Sequence, residues 1–201
     1  MTVSGKPRGS YAKTAARRRE ILEAGIEVFS ASGFRGGSIR EIAERVGMSQ
    51  AGLLHHFSNK NELLAGVLEL RDDTSRDISN LDSADGVGHL RGLVKVVEYN
   101  AGVPGLVELH CVLSAEATSP DHPAHSYFVT RYRSVVALTT QSFESARAAG
   151  QLAPGVDPAS AARTLVALMD GLQVQWLLDR TSVDMAEETR RYLRPLLTVP
   201  L

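Results

Sequence analysis

One cysteine, Cys111, occurs in 201 residues, which excludes an internal disulfide and a thiolate metal cluster built within one chain. Long apolar runs are also missing. The longest stretch without Asp, Glu, Lys or Arg is fourteen residues, 46–59, and it holds Ser, Gln, Asn and two His, so nothing in the sequence reads as a membrane-spanning helix. The segment MTVSGKPRGSYAKTAARRRE is basic with no apolar stretch behind it, which is not the pattern of a secretory signal, and the cytoplasm is the expected compartment. Catalytic signatures are absent as well: there is no Gly-x-Ser-x-Gly elbow, phosphate loop, His-Glu-x-x-His or Cys pair. GVGHLRG at 86–92 approaches a dinucleotide fingerprint, but its third Gly comes one place late and no strand precedes it. The expectation is a protein that is not an enzyme, with no cofactor and no metal.

What is present suits a globular domain. Hydrophobic residues make up 43% and charged residues 22% of the chain, enough for a core without cross-links. Charge is distributed unevenly. Residues 1–60 carry ten Lys and Arg against five Glu, while residues 61–201 carry twelve against eighteen acidic residues. A basic leading part on an acidic remainder suggests a polyanion reader attached to a body that avoids polyanions.

Apolar residues recur at three and four, so the chain reads as all-α. Ile21, Ala24, Val28 and Phe29 mark a first helix that Gly33 can end in a left-handed conformation. Ser38 with Glu41 forms a capping box, Ser49 can cap a third helix through Phe57, and Asn59 with Glu62 forms another box. Longer patterns follow over 60–80, 87–101, 104–118, 124–149, 158–179 and 184–197, giving nine helices and no sheet. The division is 1–60 for a DNA-binding part and 61–201 for a helical body.

Residues 38–57, SIREIAERVGMSQAGLLHHF, have the organisation of a helix-turn-helix. Ala43 is small where two helices cross, and Gly47, four positions on, tolerates positive φ. Met48, Leu53 and Phe57 anchor the second helix inward. That leaves Ser49, Gln50, Ala51, Leu54 and His55 outward, where Gln50 can pair with an adenine edge and Ala51 can touch a thymine methyl. Arg40, His56, Lys60 and free helix-start N–H groups would hold phosphates. The cations Lys6, Arg8, Lys13, Arg17, Arg18 and Arg19 read either as a solvated tail or as an arm on the DNA backbone.

The combination Ile-Leu-x-Ala, Phe-x-x-x-Gly, Ile-Ala-x-x-x-Gly, Ser-x-x-x-Leu and His-Phe-x-x-Lys-x-x-Leu-Leu, from RRREILEAGIEVFSASGF through SIREIAERVGMSQAGLLHHFSNKNELL, resembles the TetR family of transcriptional regulators. GQLAPGVDPASAARTLVALMDGLQVQWLLD is similar to the penultimate helix of many members. Leu54 stands where the family usually carries a Tyr on the DNA backbone, a departure that touches one phosphate hydrogen bond. The resemblance implies a homodimer on a palindromic operator, usually a repressor, released when a small molecule enters the larger domain. The alternatives are a helical protein that binds DNA without specificity, or an adaptor, and after these a small-molecule-binding all-α enzyme.

For dimerisation the expected stripes are Ala161, Leu165, Leu168, Leu172 and Trp176 on one helix, and Met185, Thr189, Tyr192 and Leu196 on the next, the alternative being that they pack within one chain. Expected cavity walls are Leu90, Val94, Val97, Leu106, Leu113, Tyr127, Phe128, Tyr132, Phe143 and Met169, with His110, Glu116 and Gln173 as polar groups. His110 beside Cys111 does not converge on one ion and reads as a buried, satisfied His. His122 and His125 read as solvated loop residues. The helix beginning at Asn59 would couple body to reader.

Overall fold

Why the chain breaks where it does is mostly a matter of caps. The computed structural model describes the backbone of residues 8–79 and 86–201, with side chains from residue 13 onward. Among the described residues there are nine α-helices: α1 (Arg8–Gly36), α2 (Ile39–Arg45), α3 (Gln50–Leu54), α4 (Lys60–Ser79), α5 (Gly86–Gly102), α6 (Pro104–Glu116), α7 (His125–Ala148), α8 (Pro158–Leu178) and α9 (Met185–Leu193), followed by one 3₁₀ turn (Arg194–Leu196). Strand-like pairing among them is limited to an isolated antiparallel bridge between Leu152 and Leu197. The side chains of Ser38, Ser49, Asp157 and Asp184 each accept the N–H three residues on, closing the starts of α2, α3, α8 and α9. Asn59 does the same for α4, while Glu62 reaches back to the Ser58 N–H and hydroxyl.

Helix α1 differs from its sequence reading at both ends. It begins by Arg8, so Lys13 and Arg17–Arg19 lie within a helix rather than on a free arm; Lys6 falls outside the described residues. At Gly33 the helix is interrupted with φ 67° and ψ −179°, a positive φ as expected but with extended ψ in place of left-handed helix.

Two cores form. The first joins Ile21, Val28 and Phe29 of α1, Ile42 and Ala43 of α2, Leu53 and Phe57, and the α4 residues Leu63, Leu64, Val67 and Leu68, and it continues into Leu109 and Leu113 of α6 and Phe128 of α7. The second joins α5 to α9 through Val87, Leu90, Phe143, Ala162, Leu165, Trp176 and Leu193. Hydrophobic packing therefore runs without a break across residue 60. Two glycines of GVGHLRG are spacers in this packing: a Cβ on Gly92 would stand 2.0 Å from the Ser79 carbonyl oxygen of α4, and one on Gly86 2.2 Å from that of Ser142 on α7.

Candidate nucleic-acid interface and effector cavity

Helix α2 ends in a Schellman arrangement that fixes the turn into α3. Gly47 has φ 65°, its N–H donates to the Glu44 carbonyl at 3.1 Å and the Met48 N–H donates to the Ala43 carbonyl at 2.9 Å, the paired bonds that close a helix end when a glycine takes positive φ. Helix α3 then starts under the Ser49 cap, whose oxygen accepts the Gly52 N–H at 3.1 Å and whose hydroxyl hydrogen stays available to donate. Leu53 and Phe57 are buried in the first core, whereas Ser49, Gln50, Ala51, Leu54 and His55 are exposed together at one surface. Arg40 on α2 is exposed, its side chain at 78% relative accessibility and only 3.8 Å from Glu44.

Several cations of the leading part are occupied by the protein itself, among them two that the sequence leaves open as solvated tail or DNA arm. Arg17 donates to the Val46 carbonyl at 2.7 Å. Arg18 donates to the His56 carbonyl and covers the Phe57 ring at 4.1 Å. These carbonyls lie at the C-terminal ends of α2 and α3, where unpaired carbonyls and the helix dipole favour a positive charge. Both arginines thus lock α1 onto the two short helices. Lys60 sits over the Phe34 ring at 4.5 Å and 3.4 Å from the Arg35 carbonyl; burial lowers its pKa and Glu116 partly opposes that. Its ammonium is thus folded back onto α1. His56 is half-buried, and His55 is exposed.

The junction between reader and body is built on Glu116. Its carboxylate accepts the Phe34 N–H at 2.8 Å and stands 3.4 Å from His122 Nε2. His122 is buried, its ring meets Phe34 edge-on at 5.3 Å, and its Nδ1 accepts the Ala124 N–H. His125 Nδ1 bonds the Ala117 carbonyl at 2.8 Å. These two histidines are thus structural links, not solvated loop residues, because the turn before α7 folds against α1 and α6. Glu116 likewise serves this junction and does not line the cavity. Among the described residues no three His, Cys, Asp or Glu side chains are grouped to hold a metal.

A cavity of about 590 Å³ opens between α4, α5, α7 and α8, within the usual range for small-molecule sites. Its apolar lining includes Leu93, Val96, Val135, Leu138, Val166 and Met169. Its polar wall is a network of paired charges. Asp170 accepts from His110 Nε2 at 3.0 Å and from the Tyr132 hydroxyl at 2.7 Å. Asp72 accepts from the Tyr127 hydroxyl at 2.6 Å, from Arg131, and from Arg71 at a long 3.5 Å. Burial, helped by the nearby Arg71, pushes His110 down to about 4, so it is neutral at pH 7 and its Nδ1 carries a lone pair. Burial works against ionisation of Asp170, yet the bonds from His110 and Tyr132 outweigh it and hold that carboxyl below its ordinary value. Burial raises the Cys111 thiol to about 11, far from a reactive thiolate.

A family model for bacterial regulatory proteins of the tetR family matches residues 21–67, and one for the C-terminal part of BetI-type transcriptional repressors matches residues 107–198. The chain belongs to the TetR family of transcriptional regulators. It is 29% identical over 175 residues to the HTH-type transcriptional regulator PksA of Bacillus subtilis, covering 84% of this chain and 82% of that one. Its fold matches a transcriptional regulator from Saccharomonospora viridis solved with choline, at TM-score 0.74 and 21% identity over 92% of this chain and all of that one. It also matches the regulator FadR of Bacillus subtilis solved with stearoyl-CoA, at TM-score 0.73 and 16% identity over 90% of this chain and 97% of that one. As a TetR-family repressor it acts by binding DNA through its helix-turn-helix and not by catalysis. No helix among the described residues is long and apolar enough to cross a membrane.

Within this TetR fold the expected cavity and dimer residues sort as follows. His110, Tyr127, Tyr132, Met169 and Gln173 line the cavity. Leu90, Val94, Val97, Leu106, Leu113, Phe128 and Phe143 are instead buried core: their side chains face neighbouring helices, and Leu113 and Phe128 belong to the core shared with the reader. His110 is only half satisfied, its Nδ1 lacking a partner. The sequence reading missed Arg71, Asp72, His89, Arg131, Thr139 and Asp170. Of the expected dimer stripes, Ala161, Leu165, Leu172, Trp176, Met185 and Thr189 are buried within one chain, where α8 packs on α9 and on the body. Leu168, Tyr192 and Leu196 are half-buried, the Tyr192 hydroxyl donating to the Ala161 carbonyl at 3.0 Å. The outward face of α8 carries Ala167, Gly171, Val174 and Leu178, the last two 49% and 84% exposed.

Proposed function

We propose that this TetR-family repressor binds an inverted-repeat operator as a homodimer and leaves it when a small molecule fills the cavity beside Arg71 and Asp170. The observation that carries this reading is the presentation of α3: Leu53 and Phe57 hold it in the core while Ser49, Gln50, Ala51, Leu54 and His55 stand together in the open. Gln50 at the start of α3 pairs with an adenine edge, Ala51 meets a thymine methyl, and Arg40 holds a phosphate. A five-residue helix reads only a few base pairs, so useful affinity requires two copies, about 34 Å apart or a multiple of it, on successive major grooves.

The exposed α8 face with Ala167, Gly171, Val174 and Leu178 supplies the pairing surface, since Gly171 has open space where a Cβ would stand and permits close approach of a second helix. Release runs through α4, which starts in the reader's core at Leu63 and Leu64 and ends at the cavity with Arg71, Asp72, Ser75 and Ser79. The regulators solved with choline and with stearoyl-CoA support a small-molecule effector here. The test is selection of bound DNA from a random pool: the expected product is an inverted repeat, and Gln50→Ala relaxes one position in each half-site by about 1 to 3 kcal/mol. A pool that emerges without a shared sequence supports non-specific DNA binding instead.

A further inference from the structure

Polar groups left without partners are concentrated in one place. Six buried side-chain atoms among the described residues have no hydrogen-bond partner in the protein, and five of them, Arg71 Nε, His89 Nδ1, His110 Nδ1, Thr139 Oγ1 and Gln173 Oε1, belong to residues lining the 590 Å³ cavity. Buried polar atoms are ordinarily paired, because leaving one unmade forfeits its hydration with no return. A group of five around one cavity, one from each of α4 to α8, is the imprint of a molecule that pairs them.

The charges lining the cavity say which chemistry the molecule brings. Neither carboxylate is bare: each oxygen of Asp170 and of Asp72 already accepts from a protein donor, so neither calls for a cationic ligand as an unpartnered acid would. Arg71 is the opposite case. It is 6% exposed, its nearest anionic contact is Asp72 at 3.5 Å, and it shares that carboxylate with Arg131. Burial and the neighbouring Arg131 lower its pKa to about 10, so at neutral pH it is still a cation. A buried guanidinium held by one long, shared contact is under-compensated, and its planar fork suits an oxyanion.

We infer that the effector is an amphipathic oxyanion, an apolar molecule whose carboxylate is taken by Arg71 and whose body lies against Val96, Val135, Leu138 and Met169. A hydroxyl or N–H on that body would satisfy His110 Nδ1 or Gln173 Oε1, which present acceptors. Arg71 lies on α4 eleven residues beyond Lys60, about 16 Å along the helix axis, so drawing the guanidinium toward an anion acts directly on the helix that enters the reader's core. The inference rests on the reading of this cavity as the effector site.

The test is calorimetric titration of the full-length protein with three probes of equal chain length and different head: decanoate, decan-1-ol and decyltrimethylammonium. Decanoate is expected to bind about tenfold or more tightly than the other two, the usual advantage of a charge-assisted bond at a buried site. Arg71→Met, with folding checked by its melting curve, should erase that preference while leaving decan-1-ol binding near its wild-type value. If decan-1-ol or the ammonium binds as well as decanoate to the wild-type protein, the oxyanion inference is wrong and the cavity reading stands, a result that needs no variant to fold. If decanoate is preferred but Arg71→Met keeps the preference, Arg71 is not the recognising group. If none of the three binds, the effector-site reading falls and takes this inference with it.

Discussion

The carboxylate of Glu116, at the last turn of α6, accepts the backbone N–H of Phe34 at 2.8 Å across 82 residues of chain. That N–H follows the break at Gly33 and has no helical carbonyl to reach, so the body of the protein supplies the acceptor that the reader's first helix lacks. Glu116→Ala leaves the donor unpaired at a half-buried position and is expected to destabilise by about 1 to 3 kcal/mol. Glu116→Gln keeps an acceptor oxygen and should lose clearly less. Urea unfolding of the two variants checks this, and equal losses would show that the bond is incidental.

Gly33 opposes the same carboxylate. With φ 67° and ψ −179° it occupies a region essentially restricted to glycine, and a Cβ there would stand 2.3 Å from Glu116 Oε1. Gly33→Ala should therefore cost about 1 to 3 kcal/mol from backbone strain alone, with a steric addition. In a Glu116→Ala background the steric part vanishes, so the two losses should sum to more than the double variant shows. Strict additivity in the cycle would mean that Glu116 simply moves aside.

Two arginines in the reader should behave differently when removed. Arg40→Ala is expected to leave the melting temperature unchanged and to reduce the salt dependence of DNA binding by about one phosphate contact. Arg18→Ala should lower the melting temperature, by about 2 to 4 °C for each kcal/mol lost, because it frees the His56 carbonyl and uncovers Phe57. A salt titration beside a melting curve separates the two roles.

Val174 is 49% exposed on the outer face of α8, so Val174→Asp should leave the fold of one chain intact. If that face pairs two subunits, the substitution buries two carboxylates near the dyad and shifts the protein to monomer. Sedimentation velocity gives the mass directly. A wild-type dimer whose mass survives the substitution places the interface elsewhere.

The neutral state of His110 gives stability a pH dependence of known sign. Burial, then the Arg71 charge, lowers its pKa from 6.5 to about 4. Between those values the unfolded chain holds more protons than the folded one, so stability falls as pH falls through this window and is unaffected above it. His89, lowered by burial, acts in the same sense. The depressed Asp170 adds its loss only below its ordinary 3.8. His110→Gln, which retains an N–H for Asp170, should show a shallower decline in melting temperature from pH 7 to about pH 4.5. Parallel curves would assign the decline to other groups.

The helix-turn-helix was legible because each of its positions has a local cause: a Ser cap before α2 and another before α3, a small Ala43 at the crossing, a Gly47 with positive φ. The cavity was less so, since which apolar residues become wall and which become core depends on packing between helices far apart in sequence. Leu113 and Phe128 lie in the core shared with the reader for that reason. A signal for the polar wall did exist. Arg71 continues the buried stripe Leu64, Val67, Leu68, and Asp170 interrupts an apolar run of α8; a charge in a core register points to a partner. Most of the dimer-stripe residues are buried within one chain, because the most apolar face of a helix is the one its own chain covers first.

The unbroken oil between the reader and α6 bears on how this regulator can be re-engineered. Cutting at residue 60 and attaching another protein's head would set Leu109, Leu113 and Phe128 against a foreign surface, so swapped chimeras should aggregate or loosen. New operator preferences are better introduced by rewriting the few exposed side chains of α3, leaving the scaffold beneath them untouched.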